Sequence, residues 1–524
     1  MVSLAKYFEE AQVANYPEWF HEIKVVNPDD PDDEDFAIRW HQVTGLNLTF
    51  LASRSALYDE QGTGKSLISG AWAIWNAAMG NKCVCLMPPV LTGQYAHNLK
   101  NTFLGIEKYL KIGVYKGTLP KRQKLLDGWG NKKPDIVIMG YQIFLKEAVM
   151  FDEFTSIVLD EAKLANESSK TNIQIDNFMG DYEDKNALVL NGTPASNDLR
   201  DLYGFIEFVS PGTYRSRLQF NMKHVVFKSI PIKVESRGEI CTRDIEIVDS
   251  FVNTDEMYAN LYKNARRVEK SQVLELKEKN IIPVTVELSD SHLAKYKKFV
   301  GELLLEFDDG SILKGTTSAS LRANCMQAVM HPDILQVNEV SEVVAVAAEL
   351  VDNILRTGRK ALIFCHFQKT VELLAEYFKK LNPAVIYGPS DTEKNKDKFL
   401  KDDTCRIAVA NYQSGGVGLN LQSVCSDIVC AEPTTVPAQF DQATDRVHRS
   451  GQKEIVNVYV LIAQGTAFVK CAKDLTRKKL VIARVVSKAT IMDELLGEDT
   501  ASTRYTKSQE PSGLDDLTGG WKQI

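Results

Sequence analysis

Tyr58-Asp59-Glu60-Gln61-Gly62-Thr63-Gly64-Lys65-Ser66 is a glycine-rich turn that ends in Gly-Lys-Ser and runs into a helical apolar pattern, Leu67, Ile68, Ala71, Ile74 and Trp75. A turn of this kind ahead of a helix gathers backbone N–H groups and the positive end of the helix around an anion. Backbone at Gly62, Thr63 and Gly64 would wrap the phosphates. Lys65 would reach the outer ones, and the Ser66 hydroxyl would sit on Mg²⁺. The strict pattern requires a glycine where this chain has Asp59. Taken alone, the stretch is either a phosphate loop or a glycine turn at a helix start, and the rest of the chain has to decide.

The chain has 524 residues, too many for one core, and its 44% hydrophobic and 25% charged content is that of a soluble globular protein. A net charge of −7 argues against a uniformly basic coat but permits a local basic groove. The nine cysteines are scattered without a CxxC pair, which fits a reducing compartment with neither a disulfide framework nor a zinc site. Met1–Ala14 has acidic residues and lacks the apolar core of a secretory signal. The longest apolar runs, such as Val343–Ala348, are too short to span a bilayer. The expectation is a cytoplasmic protein with no membrane contact.

Short apolar runs alternate with helical patterns through much of the chain. The strand candidates are Cys83–Met87, Ile136–Met139, Ile157–Leu159 and Ala187–Leu190, then Ala361–Cys365, Ala384–Tyr387, Arg406–Ala410, Asp427–Cys430 and Val456–Leu461. Near-continuous hydrophobic strands between helices indicate parallel sheets covered on both faces. The expected fold is α/β, with two tandem lobes of parallel sheet flanked by helices and a mostly helical insertion between them. We divide the chain into an N-terminal acidic segment (1–35), a first lobe (36–212), the insertion (213–336), a second lobe (337–495) and a polar, disordered tail (496–524). The acidic run Asn27–Asp35 reads as a solvated linker, its sharper alternative being an autoinhibitory strap. Within the insertion, Tyr258, Leu261, Ala265 and Val268 share a helical face, and Val284–Leu288 is β-like. The basic cluster Lys263, Arg266, Arg267 and Lys270 reads as a solvated helix face, its alternative being a DNA-contacting protrusion.

Three further motifs bear on the loop. Val158-Leu159-Asp160-Glu161-Ala162 is an apolar strand ending in two acids. Phosphoryl transfer to water needs a carboxylate on the metal, which suits Asp160, and a group that positions the water, which suits Glu161. Asn191-Gly192-Thr193-Pro194 also follows an apolar strand, and alone it is only a turn. Gln442-Ala443-Thr444-Asp445-Arg446-Val447-His448-Arg449-Ser450-Gly451-Gln452 places two arginines three apart, on one face if helical, where both could aim at one anion. His97, His224 and His331 lack metal-ligand spacing and read as structural.

The order of these motifs resembles helicase superfamily two, and within it the Snf/Swi-type double-stranded DNA translocases. That family's loop has the form Asp-Glu-x-Gly-x-Gly-Lys-Thr, so Asp59 matches it, and residues 442–452 match Gln-Ala-x-x-Arg-x-His-Arg-x-Gly-Gln at every fixed position. Arg39-Trp40-His41-Gln42 is similar to the adenine-reading glutamine segment. Met87-Pro88-Pro89-Val90 with Gln94, Met139-Gly140-Tyr141, Leu190–Asn197, Ala361–Phe367 and Ser414–Leu421 resemble the remaining motifs.

The resemblance implies RecA-like lobes with ATP and Mg²⁺ in the cleft between them. Catalytic roles would fall to Lys65, Asp160, Glu161, Arg446 and Arg449. ATP contacts would come from Gln42, the loop residues Gly62 to Ser66, and Gly418, and metal contacts from Ser66 and Asp160. Nucleic-acid contacts are implied at Pro88, Gln94, Gly140, Tyr141, Thr193, His366, Ser414 and Gly415. Two departures stand out. The acidic motif carries Lys163 where the family has histidine, and a Trp-Asn-Pro segment reads Thr435-Val436-Pro437.

The leading expectation is a monomeric ATP-dependent motor that hydrolyses ATP and moves on double-stranded DNA, remodelling it or displacing bound protein. The runner-up is a strand-separating or branch-migrating helicase, which needs a wedge; no hairpin signal is evident in the second lobe. A third reading, prompted by Lys163, is an ATP-gated nucleic-acid-binding subunit of a larger complex. A protein partner would dock through the N-terminal segment or the tail.

Overall fold

The computed structural model describes residues 2–486 apart from 29, 34–35, 131, 181–184, 237–238, 303, 307–311, 315–317, 389 and 416–420. The chain divides into two compact units. The first is Met1–His224 with Asn253–Glu275, and the second is Val225–Val252 with Leu276 onward.

The first unit is built on a seven-stranded sheet in the order Ala265–Arg266, Arg54–Leu57, Asn186–Leu190, Ser156–Asp160, Cys83–Met87, Ile136–Gly140, Ile112–Tyr115. Every pairing is parallel. The four expected strands form within a residue of their reading because each is an uninterrupted apolar run, buried on both faces. Arg54–Leu57 and Ile112–Tyr115 escaped notice: the first opens on Arg-Ser and the second is only four residues long and half-buried. Helix Lys65–Ala78 packs Ile68, Ala71, Trp72 and Ile74 into the core.

The N-terminal segment ahead of the acidic run is part of the first unit's core. Leu4, Tyr7, Phe8, Phe20 and Ile23 are fully buried in the same core. Val2–Ser3 and Lys24–Val25 form a three-stranded antiparallel sheet with Phe103–Leu104. The acidic stretch itself lies partly outside the described residues.

The second unit carries a six-stranded sheet in the order Lys279–Val286, Val456–Ala463, Cys425–Cys430, Lys360–Cys365, Ile407–Asn411, Ala384–Ile386. It too is parallel throughout. The five expected strands are all present, again because they are buried apolar runs. Helix Glu342–Arg356 covers one face with Val343, Val344, Ala347, Val351 and Ile354.

The segment 213–336 is shared between the units and carries strands as well as helices. The helix expected over Tyr258–Val268 stops at Leu261, and Ala265–Arg266 is instead an edge strand of the first sheet. Pairing with Ala56 and Leu57 outweighs the local helical spacing there. The β-like run near Val284 is the strand Lys279–Val286, paired along its whole length with Val456–Ala463. Val225–Ser236 and Glu239–Phe251 form a two-stranded antiparallel ribbon with a bulge near Val226. Charged residues and Pro231 between its apolar positions had hidden this period-two pattern. The tail 496–524 lies outside the described residues. Among those described, no helix is long and apolar enough to cross a membrane, and the cysteines with described side chains are free and buried.

Candidate functional site

Parallel strands deliver their C-terminal ends to one edge of a sheet, the place where α/β folds bind ligands. In the first unit, three consecutive neighbours end there in the singled-out motifs. Arg54–Leu57 leads into the glycine loop, Asn186–Leu190 into Asn191–Thr193, and Ser156–Asp160 into Glu161. The sheet therefore assembles residues about 130 positions apart without any local signal.

The loop has a phosphate-binding shape. Gly62 and Gly64 have φ of 84° and 88°, values open to glycine at little cost. Gly64 caps helix Lys65–Ala78, aiming that helix's first N–H groups into the loop. Lys65 turns its ammonium back onto the carbonyls of Asp59 (2.5 Å) and Glu60 (2.9 Å). Burial lowers the Lys65 pKa, while the charges of Glu161, Asp59 and Asp160 oppose that shift.

Helix Trp40–Leu48 packs beside the loop. Gln42 receives the Arg39 N–H at 2.8 Å, and its amide stands so close to Gly64 that a Cβ there would lie 2.3 Å from Nε2. His41 Nε2 meets the Thr63 carbonyl at 2.7 Å, and burial lowers the His41 pKa. Tyr7, in the N-terminal helix, donates to the Gln42 carbonyl at 2.9 Å, so the N-terminal segment supports the glutamine. Trp40, beside His41 in the sequence, is 59% exposed and offers an aromatic face.

Glu161 has φ of +52°, a left-handed conformation that costs a non-glycine residue about 1 kcal/mol or more. Its N–H binds the Leu190 carbonyl at 2.9 Å, and its carboxylate accepts from Gln61 of the loop at 3.4 Å. The strain thus directs Glu161 toward the glycine loop. Asp160 ends the strand beside it, and its carbonyl accepts the Tyr141 hydroxyl at 2.8 Å. Burial raises the Tyr141 pKa, with help from the neighbouring Asp160 and Glu161 charges. Lys163 is exposed, and its carbonyl accepts from Asn172 at 2.9 Å. Asp160 with the Ser66 hydroxyl is a hard oxygen donor set that suits Mg²⁺, which takes few protein ligands alongside phosphate. No cluster of three or more His, Cys, Asp or Glu that could hold a metal occurs among the described residues.

Of the residues linked to nucleic acid, Pro88 is half-buried, Gln94 is exposed and Gly140 is buried against Pro89. The Thr193 N–H is held by the Asn191 side chain at 2.7 Å. The basic cluster is not a solvated helix face. Arg266 pairs with Asp59 at 2.7 Å and Arg267 with Glu60 at 2.9 Å, while Lys270 is buried and only Lys263 of the four is exposed.

In the second unit the expected arginine helix ends early. It spans Pro437–Thr444, and Arg446 and Arg449 lie in the turns beyond it. The Arg446 carbonyl accepts the Leu421 N–H at 3.2 Å, which withdraws it from the helical ladder. Val447 is buried, Gln452 donates to the Cys425 and Val447 carbonyls, and Gly451 takes φ of 91°. The turn is thereby tied to the sheet. His366 follows strand Lys360–Cys365, and burial lowers its pKa. Ser414 and Gly415 close the short helix Tyr412–Gly415, and Gly418 lies outside the described residues.

One buried acid was not anticipated. Glu432 is wholly buried and accepts the backbone N–H groups of His366 (2.7 Å) and Phe367 (3.0 Å) and the Thr370 hydroxyl (2.8 Å). Burial pushes its carboxyl up to about 7 against these three donors. It ties down His366 and Phe367, the two residues that lead into helix Gln368–Tyr377, from another part of the chain.

Residues 41–339 match the model of the SNF2-related domain, which is more than half of the chain. The chain belongs to the SNF2-related family. Residues 345–451 of this SNF2-related chain also match the helicase conserved C-terminal domain. It is 25% identical over 424 residues to an uncharacterized ATP-dependent helicase of Mycoplasma genitalium, covering 78% of the chain and 38% of that relative. It is 23% identical over 513 residues to the TATA-binding protein-associated factor MOT1 of Saccharomyces cerevisiae, covering 82% of the chain and 26% of that protein. The chain therefore spans well under half the length of these relatives. Among solved structures, it is 22% identical to the Sulfolobus solfataricus SWI2/SNF2 ATPase core in complex with dsDNA. That alignment covers 90% of this chain and 97% of that one, with a TM-score of 0.36.

Proposed function

We propose that this SNF2-related chain is an ATP-dependent motor that hydrolyses ATP and translocates on double-stranded DNA. The observation that carries the reading is the shared sheet edge, where Lys65, Ser66, Asp160 and the strained Glu161 follow neighbouring parallel strands. Backbone N–H groups of the glycine loop and Lys65 would bind the phosphates. Ser66 and Asp160 would hold Mg²⁺, which when bound neutralises phosphate charge. Glu161 would orient and deprotonate the attacking water, and Gln42 would read the base. Arg446 and Arg449 would supply cationic charge from the second unit once the lobes close, so that lobe motion is coupled to hydrolysis. Backbone and side-chain contacts at Pro88, Gln94, Gly140, Tyr141, Thr193, His366, Ser414 and Gly415 would follow the DNA strand without reading sequence.

The test is the ATPase rate with duplex DNA, single strands and RNA, alongside triplex displacement. Duplex DNA should stimulate turnover, and Lys65→Ala or Glu161→Gln should abolish it. Equal stimulation by single-stranded RNA, or none by duplex DNA, would sink the proposal. The ribbon Val225–Phe251 favours a second reading, strand separation, since it is a hairpin of the kind a wedge requires. Strand displacement from a forked substrate, lost on shortening the ribbon, would select it.

A further inference from the structure

A strict phosphate loop begins with glycine, whereas this one begins with two carboxylates that precede a site for a polyanion. Left bare, each would repel bound phosphate. Both are answered from a segment more than 200 residues away in sequence.

That segment lies along the sheet edge and continues past the strand into the loop. The Ala56 N–H binds the Asn264 carbonyl (3.1 Å), the Tyr58 N–H that of Arg266 (2.8 Å), and the Glu60 N–H that of Val268 (2.9 Å). Arg266 donates to the Asp59 carboxylate at 2.7 Å and to the Thr44 hydroxyl at 2.8 Å. Its guanidinium fills the space over Gly45, where a Cβ would lie 2.4 Å away. Arg266 thus joins the loop to the helix that carries Gln42. Arg267 donates from one nitrogen to the carbonyls of Tyr58 (3.1 Å) and Gly192 (3.0 Å), and from the other to the Glu60 carboxylate (2.9 Å). The Lys270 N–H takes the second Glu60 oxygen at 3.0 Å. Lys65 rests on the carbonyls of these same two acidic residues.

We propose that Arg266 and Arg267 are positioning residues of the nucleotide loop, neutralising Asp59 and Glu60 and fixing the backbone on which Lys65 sits. Arg267 also joins the loop to the Asn191–Thr193 turn, giving this chain a link between the two that does not pass through Lys163. A planar fork suits the task because its donors are spread over separate nitrogens in a fixed plane and reach acceptors on two different loops, whereas a lysine's three donors radiate from one atom. The inference rests on the reading of residues 58–66 as a nucleotide loop.

The test is titration of the full chain with a fluorescent ATP analogue, together with KM and kcat for ATP. Arg267→Met leaves the Glu60 carboxylate without its guanidinium partner near the phosphates, and nucleotide affinity should fall roughly tenfold, with KM rising in step. Adding Glu60→Gln to Arg267→Met should restore most of the affinity, because the repelling charge is then gone. A merely structural arginine would show no such rescue. Arg267→Lys should not restore it, and it carries the same comparison if Arg267→Met does not fold. Arg266→Met with and without Asp59→Asn forms the parallel pair.

Unchanged affinity in folded Arg267→Met, or no recovery with Glu60→Gln, overturns the proposal. Lys65→Ala separates this failure from failure of the underlying reading. If wild type binds the analogue and Lys65→Ala does not, the loop reading stands and only the arginine proposal falls. If wild type and Lys65→Ala are alike, the loop reading itself falls.

Discussion

Replacing Glu432 by glutamine should remove a pH dependence of stability that the buried carboxylate creates. Its carboxyl is held at about 7, against an ordinary value near 4.5, because burial penalises the charged form more than its three donors reward it. The folded chain therefore binds a proton more tightly at this position than the unfolded chain does. Stability is greatest below about pH 4.5, falls as pH rises toward 7, and levels off above it. The difference between the two values corresponds to roughly 3 kcal/mol across that window.

Glutamine has the same shape and does not ionise. Its carbonyl can accept from His366 and Phe367, and its amide can donate to the Thr370 hydroxyl, which accepts as readily as it donates. Urea unfolding of wild type and Glu432→Gln between pH 5 and 8.5, read as a difference, cancels the histidines and every other group the two proteins share. The difference should rise by roughly 2–3 kcal/mol in favour of the glutamine from the acid to the alkaline end. Parallel pH curves for the two proteins would refute the reasoning. Glu432→Ala should remove the same pH dependence and in addition lose about 1–3 kcal/mol for each stranded N–H group.

Gly204→Ala should destabilise the first unit by about 3 kcal/mol or more, since its Cβ would stand 1.9 Å from the backbone oxygen of Leu164. An unchanged urea midpoint would contradict that contact. Gly64→Ala should weaken nucleotide binding while lowering stability by only about 1–2 kcal/mol, because φ of 88° and the 2.3 Å approach to Gln42 both act at the loop. Analogue titration beside urea unfolding checks it. Arg449→Ala should retain nucleotide binding but lose on the order of 10³ in turnover, the scale of an arginine finger. Single-turnover ATPase with saturating duplex DNA measures it, and wild-type turnover would remove Arg449 from the site.

Much of the architecture was legible in the order of residues. Cys83–Met87 and Ile407–Asn411 are apolar without a break, and only a sheet covered on both faces accommodates such runs. The glycines at 62 and 64 and the lysine after them announce their own backbone geometry, which is why the loop was readable. Other features were hidden for physical reasons. Arg446 and Arg449 keep helical spacing, but the helix ends at Thr444 and the Arg446 carbonyl accepts the Leu421 N–H instead of continuing the ladder. Glu432 looks like any acid after a strand until its burial and three donors are known.

The sequence by itself determined which residues could bind phosphate, carry a metal and activate water, because those roles depend on side-chain chemistry and short spacing. It also determined that two sets of parallel strands would present those residues. What only the tertiary structure decided was the fate of Asp59 and Glu60, and with them the meaning of Arg266 and Arg267. Charge pairing falls off with distance in space and is indifferent to distance along the chain. A basic cluster more than 200 residues downstream therefore looks solvated until the strand Ala265–Arg266 brings it to the loop.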